Sequence, residues 1–156
     1  MKNQFLKSTL GVVTLILIST ACSSNSPTDD NNNNNAKLEG VWKPIKAVYT
    51  DSGGTNTTEN FSECEQTGRT IFSSNGNFSQ TGYYPVSGNC ELEFDNTGNW
   101  QIINENILRV TLNGQVDNGI IGDYFILELT ANSLKIDADT DANSTESEVY
   151  VFQKFN

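Results

Sequence analysis

The chain has 156 residues, no histidine, and 19 acidic against 9 basic residues, for a net charge of −10. A surface this acidic repels phosphate backbones and no Lys/Arg cluster overrides the repulsion, so nucleic acid is not an expected partner. Without histidine the commonest general base, the Ser-His and Cys-His nucleophile pairs and most zinc sites are missing, and no enzymatic activity is expected.

The chain opens with Lys2 and Lys7 ahead of an apolar run that includes Leu10, Val12, Val13, Leu15, Ile16, Leu17 and Ile18. Positive charge before a short apolar stretch is the pattern of a secretory signal. The stretch falls short of the roughly 20 residues that a membrane span needs. Ser19-Thr20-Ala21-Cys22 follows and resembles the lipobox of bacterial lipoproteins, with Ser19 where that motif usually has Leu. The resemblance implies that residues 1–21 are a signal peptide and that Cys22 becomes the lipid-bearing first residue, carrying acyl chains such as palmitate. The alternative is an ordinary signal peptide cut near Ala21. Loss of Lys2 and Lys7 takes the net charge from −10 to −12. Anionic headgroups are then repelled, and membrane attachment rests on the acyl chains.

Residues 22–37 hold the lipidated cysteine and a polar stretch with an uninterrupted asparagine run, Asn31 to Asn35. Such composition cannot bury enough surface to offset its ordering entropy, so a flexible tether is expected, with a span on the order of 20 Å. Ser23 is not the aspartate that holds many lipoproteins at the inner membrane. By that resemblance the outer membrane is the expected location, on its periplasmic or cell-surface face.

Residues 38–156 amount to one domain, and its apolar pattern has period two. Strands are expected around Val41–Tyr49, Arg69–Ser73, Asn77–Tyr84, Asn99–Ile103, Leu134–Asp137 and Glu148–Phe155. Three more show clear alternation: Cys90, Leu92 and Phe94 on one face; Leu108, Val110 and Leu112; and Phe125, Leu127 and Leu129 opposing Tyr124, Ile126 and Glu128. Turn residues separate them at Asn75-Gly76, Asn96-Thr97-Gly98, Asn104-Glu105-Asn106, Asn113-Gly114 and Ala131-Asn132-Ser133. Polar loops are expected at Asp51–Asn60 and Asp139–Glu146. The expected fold is all-β, an antiparallel up-and-down barrel of about eight to nine strands, with an open two-sheet sandwich as the alternative.

Several motifs in this domain carry a resemblance. Leu38-Glu39-Gly40-Val41-Trp42-Lys43 holds a Gly-x-Trp triplet on the first strand, Phe72-Ser73-Ser74-Asn75-Gly76-Asn77-Phe78 reads as a hairpin, Gly98-Asn99-Trp100 opens a strand, and Tyr150-Val151-Phe152-Gln153-Lys154 closes the chain. Together they are similar to the lipocalin-like domains of bacterial outer-membrane lipoproteins. The resemblance implies a barrel with Trp42 packed across its closed end and an interior able to hold a small apolar ligand.

Trp42, Phe72, Phe94, Trp100, Phe125 and Tyr150 are the candidate ligand-lining aromatics, and they would equally suit a barrel filled by its own side chains. Cys64 and Cys90 form an even pair in an exported domain, without Cys-x-x-Cys spacing or a basic neighbour, so a structural disulfide is expected. Asp137, Asp139, Asp141, Asn143, Thr145 and Glu148 occupy places 1, 3, 5, 7, 9 and 12 of an EF-hand-like spacing, a candidate weak Ca²⁺ loop; Ala142 stands where the sharp turn wants Gly. Glu91 and Glu93 share a strand face and read as solvated carboxylates. Two functions follow: binding of a small apolar ligand, or an interaction module of the cell envelope. An acidic inhibitor of a basic enzyme such as lysozyme would be one form of the second.

Overall fold

A computed structural model describes residues 37–114, 118–141 and 144–156. The expected signal peptide, the expected lipidation site Cys22 and most of the expected tether fall outside the described residues. Among these residues the strands are β1 (Gly40–Thr50), β2 (Asn56–Asn60), β3 (Arg69–Phe72), β4 (Asn77–Val86), β5 (Asn89–Ile103), β6 (Ile107–Leu112), β7 (Gly122–Leu129), β8 (Ser133–Asp137) and β9 (Ser147–Lys154). A 3-10 turn, Glu65–Thr67, lies between β2 and β3.

From β3 to β9 each strand pairs with the next, and β1 pairs with both β3 and β9, which closes eight strands into a barrel. All these pairings are antiparallel. The closing seam with β9 runs from Trp42↔Lys154 to Thr50↔Ser147 and shifts register between Pro44 and Lys46. A bulge suits that place, because Pro44 has no N–H to give to a ladder. The other edge of β1 is divided. Gly40, Val41 and Trp42 pair with β3, while Lys46–Thr50 pair with β2, the ninth strand, which is exposed throughout.

Turn chemistry sets the hairpins. Asn104 and Glu105 both take positive φ, 49° and 67°, the left-handed pair that a tight β5–β6 turn requires. At Asn75-Gly76 the Asn75 side chain accepts from the Asn77 amide at 3.1 Å and turns β3 into β4.

The core fills the end of the barrel where β1 begins. Leu38, Trp42, Phe72, Leu108, Leu134 and Ile136 are fully or almost fully buried there. Phe72 meets Phe78 and Trp100 with ring centroids 5.5 Å from each, and the Trp100 indole donates to the Ser73 carbonyl at 2.9 Å. Trp42 is fully buried at this end, and its indole N–H donates to the Leu38 carbonyl at 2.7 Å. Gly40 has φ 126°, and a Cβ there would stand 2.6 Å from the Lys154 ammonium nitrogen. The Gly-x-Trp spacing thus clears room for the last strand's lysine beside the tryptophan.

Four expectations need correction. Asn96-Thr97-Gly98 is not a turn, because β5 runs unbroken from Asn89 to Ile103. Gly98 serves close approach instead: a Cβ would come within 2.1 Å of the Thr111 carbonyl oxygen on β6. The Cys90-Leu92-Phe94 face has the correct parity with buried Trp100 and Ile102, yet Cys90 and Leu92 are exposed. β6 covers β5 only from Gly98 onward, so the first half of β5 projects past the barrel wall beside β4 alone.

On β7 the expected faces are inverted. Tyr124 is buried and Ile126 packs on the core, then a bulge between Ile126 and Glu128 leaves Leu127 exposed and returns Leu129 to the core side. Residues 51–60 are not all loop, since Asn56–Asn60 forms β2; an all-polar strand has no alternation to reveal it.

Candidate ligand site

Opposite the filled end lies a pocket of about 180 Å³. Pro44 of β1, Thr70 of β3, Gln80 to Tyr83 of β4, Glu93 and Phe94 of β5, and Tyr150 and Phe152 of β9 form its walls. Phe61 and Glu65 come from the β2–β3 connection, and Gly119 and Ile120 from the β6–β7 loop. Two crossing segments therefore cap a barrel whose strands alone would leave a wider opening.

The disulfide fixes the first of these. Cys64 and Cys90 are joined, with Cα atoms 5.4 Å apart. The bridge ties the 3-10 turn to the projecting end of β5. Within the same segment the Glu65 carboxylate accepts from the Ser62 amide at 2.7 Å, and the Gln66 amide group donates to the Phe61 carbonyl at 2.7 Å.

A buried polar relay holds the second. The Gln80 amide donates to the Thr70 hydroxyl at 3.1 Å, and its oxygen accepts from the Ile120 backbone N–H at 2.8 Å. Asn96 donates to the Asn118 carbonyl at 2.7 Å. Among the described residues Thr70, Gln80 and Asn96 are the buried polar ones. Each makes at least one hydrogen bond within the barrel. Through this relay Ile120 is pulled into the interior and is itself buried.

Of the six aromatics singled out in the sequence, Phe94 and Tyr150 line the pocket. Trp42, Phe72 and Trp100 belong to the packed core at the other end. Phe125 stands on the opposite face of β7 from buried Tyr124, outside both core and pocket. Phe61, Ile120 and Phe152 complete the apolar lining. Phe152 alternates with Tyr150 on β9 and could have been read from period two, whereas Phe61 and Ile120 sit in connections without any pattern.

The Tyr150 hydroxyl donates to the Glu148 carboxylate. Burial, then that bond and the charge behind it, pushes the phenol above the ordinary tyrosine range.

The acidic segment from Asp137 to Glu148 joins β8 to β9, with strands on both flanks. Its carboxylates are engaged with the hairpin itself. Asp137 accepts from the Asp139 and Glu148 amides at 3.1 and 3.2 Å, and Asp139 accepts from the Asp141 amide at 2.9 Å. Hydrogen bonds from Ser144 and from that amide hold the Asp139 carboxyl below its usual range. Thr145 is exposed, and Asn143 lies outside the described residues. Among the described residues no three His, Cys, Asp or Glu side chains gather as a metal-ligand set. Glu91 and Glu93 are exposed on β5.

The sequence pattern of the lipocalin-like domain matches residues 38–136. The chain belongs to the lipocalin-like family. Proteins of this family are typically non-enzymatic binders of small hydrophobic ligands. Among solved structures, the bovine lipocalin allergen Bos d 2 is 14% identical, covers 78% of this chain and 75% of its own, and superposes with a TM-score of 0.40. A deswapped triple mutant of bovine odorant binding protein is 14% identical over 76% of this chain and 74% of its own, with a TM-score of 0.39. Aphrodisin, a sex pheromone from female hamster, is 13% identical over 76% of each chain, with a TM-score of 0.35. A search of curated proteins finds no sequence match to this lipocalin-like chain.

Proposed function

We propose that the protein is a lipid-anchored envelope lipoprotein whose lipocalin-like barrel binds a small, largely apolar ligand at its mouth, without catalysis. The observation that carries the binding reading is the pocket of about 180 Å³ walled by Phe61, Phe94, Ile120, Tyr150 and Phe152. Dry cavities of about 150 Å³ accept a benzene ring. A ligand the size of one ring with a short substituent fits this space, and a long-chain lipid does not. The anchor rests on the Lys2–Ile18 export pattern, the Ser19-Thr20-Ala21-Cys22 motif and the polar residues that follow. Tethered by acyl chains at the outer membrane, such a barrel would hold its mouth within a short reach of the bilayer.

Two measurements test the reading. Exported protein is examined by native mass spectrometry for a retained small molecule, and by displacement of an environment-sensitive fluorophore with single-ring compounds. Saturable displacement is expected, weakened by Ile120→Trp, which fills the pocket. A protein that neither retains nor displaces anything is not a ligand carrier. For the anchor, labelled palmitate should be incorporated by the natural chain and not by Cys22→Ser; equal labelling places the modification elsewhere.

A further inference from the structure

Resting on the reading of the pocket as a ligand site, we infer that its ligand is a ring-sized organic cation, an amine with an apolar body, and not an anion such as a fatty acid. Glu65 and Glu93 both contribute to the lining, from different segments, and no lysine or arginine does. The basic residue next to Thr70 on β3 is turned away: the Arg69 guanidinium donates to the Gln66, Thr67 and Gly68 carbonyls and stacks on the Phe155 ring, 3.9 Å from its centroid. The Glu65 carboxylate accepts from the Ser62 amide at 2.7 Å and the Glu93 carboxylate from the Asn118 side chain at 3.3 Å. Such hydrogen bonds do not neutralise a carboxylate, so an entering anion would be repelled at this rim with no counter-charge, in a protein already at −10. An ammonium group would be attracted by the same two charges, and the rings of Phe94 and Tyr150 in the lining are of the kind that also attract cations.

A second observation points into the same space. Thr70 is 1% exposed and lines the pocket. Its hydroxyl oxygen accepts from Gln80, while its own hydrogen has no protein acceptor among the described residues. The second amide hydrogen of Gln80, 8% exposed, is in the same position. Buried donors left without acceptors are costly, and a ligand oxygen or ring nitrogen would satisfy them. The pocket thus has donors at its inner wall, apolar and aromatic sides, and negative charge where the capping segment and β5 meet. A ring with an acceptor at one end and an ammonium at the other matches that order.

Three probes of one shape separate the possibilities: tyramine, 4-ethylphenol and 3-(4-hydroxyphenyl)propionate, titrated against the exported protein by calorimetry at low and physiological salt. Tyramine should bind most tightly and the propionate most weakly. Added salt should narrow the gap. In a Glu65→Gln/Glu93→Gln variant, tyramine should lose roughly tenfold more affinity than 4-ethylphenol loses, as expected for two partly exposed ion pairs, and equal losses for the two probes overturn the inference. A cooperative thermal unfolding transition near that of the natural chain shows that the variant is folded. Binding of the neutral probe with no preference for the amine, or a preference for the propionate, overturns the inference and leaves the pocket reading standing. Failure of all three to bind overturns both.

Discussion

The Lys154 ammonium nitrogen lies 4.3 Å from the centroid of the Trp42 indole, so the last residue of β9 and the third of β1 seal the closed end of the barrel together. The same ammonium donates to the Glu39 and Lys37 carbonyls ahead of β1. One side chain therefore fixes the start of the first strand to the end of the last. Lys154→Ala should cost about 1–2 kcal/mol in urea unfolding, more than an isolated surface lysine would. Lys154→Arg should recover most of it; an alanine variant with an unchanged midpoint would show that the contact contributes nothing.

The Cys64–Cys90 bridge closes a loop of 26 residues in sequence separation. In the chain-entropy model its removal costs roughly 3 kcal/mol. Because the bridge holds the segment carrying Phe61 and Glu65 against β5, the Cys64→Ala/Cys90→Ala variant should lose ligand affinity even at temperatures where it remains folded. Comparing melting temperature with probe affinity for oxidised, reduced and doubly substituted protein checks both effects.

Gln80→Leu is nearly isosteric and removes the acceptor for the Ile120 amide and the donor to Thr70. Leaving that amide unsatisfied should destabilise the protein by about 1–3 kcal/mol. Amide hydrogen exchange should localise the damage: Ile120 and its neighbours lose protection while the β5–β6 ladder keeps it. Uniform loss across the barrel would mean that the relay supports the whole fold instead of the loop.

Tyr150 ionises above the ordinary tyrosine value of about 10 because burial and the Glu148 carboxylate both oppose a phenolate. Its folded value exceeds its unfolded value. The stability it contributes is therefore complete below about pH 10 and is lost as pH rises from there towards the folded value. Tyr150→Phe should flatten this alkaline fall in urea midpoints and remove one late-titrating group from the ultraviolet phenolate titration. An alkaline limb of unchanged slope would refute the assignment.

The barrel was legible in the chain because strands with one buried face write their period into the sequence; Leu108, Val110 and Leu112 are buried as the alternation requires. Gly98 misled because glycine marks both turns and close backbone approach, and only the neighbouring strand distinguishes them. Leu127 misled because a bulge changes parity without leaving a compositional trace, and Tyr124 because its polar hydroxyl disguises a buried ring. For the pocket, Phe94 and Tyr150 could be chosen from strand position. Ile120 could not, since its burial depends on Gln80, 40 residues earlier in the chain.

The divided edge of β1 leaves β2 with a row of backbone groups facing no strand among the described residues. Such an edge can recruit a strand from another copy and seed aggregation. Asn56-Thr57-Thr58-Glu59-Asn60 supplies no apolar side chain to reward that encounter, and Glu59 would face its own charge in an in-register stack. A strand that contributes nothing to the core thereby acts as a guard: its polarity keeps neighbouring copies, each presenting the same open rim, from knitting together at high local concentration.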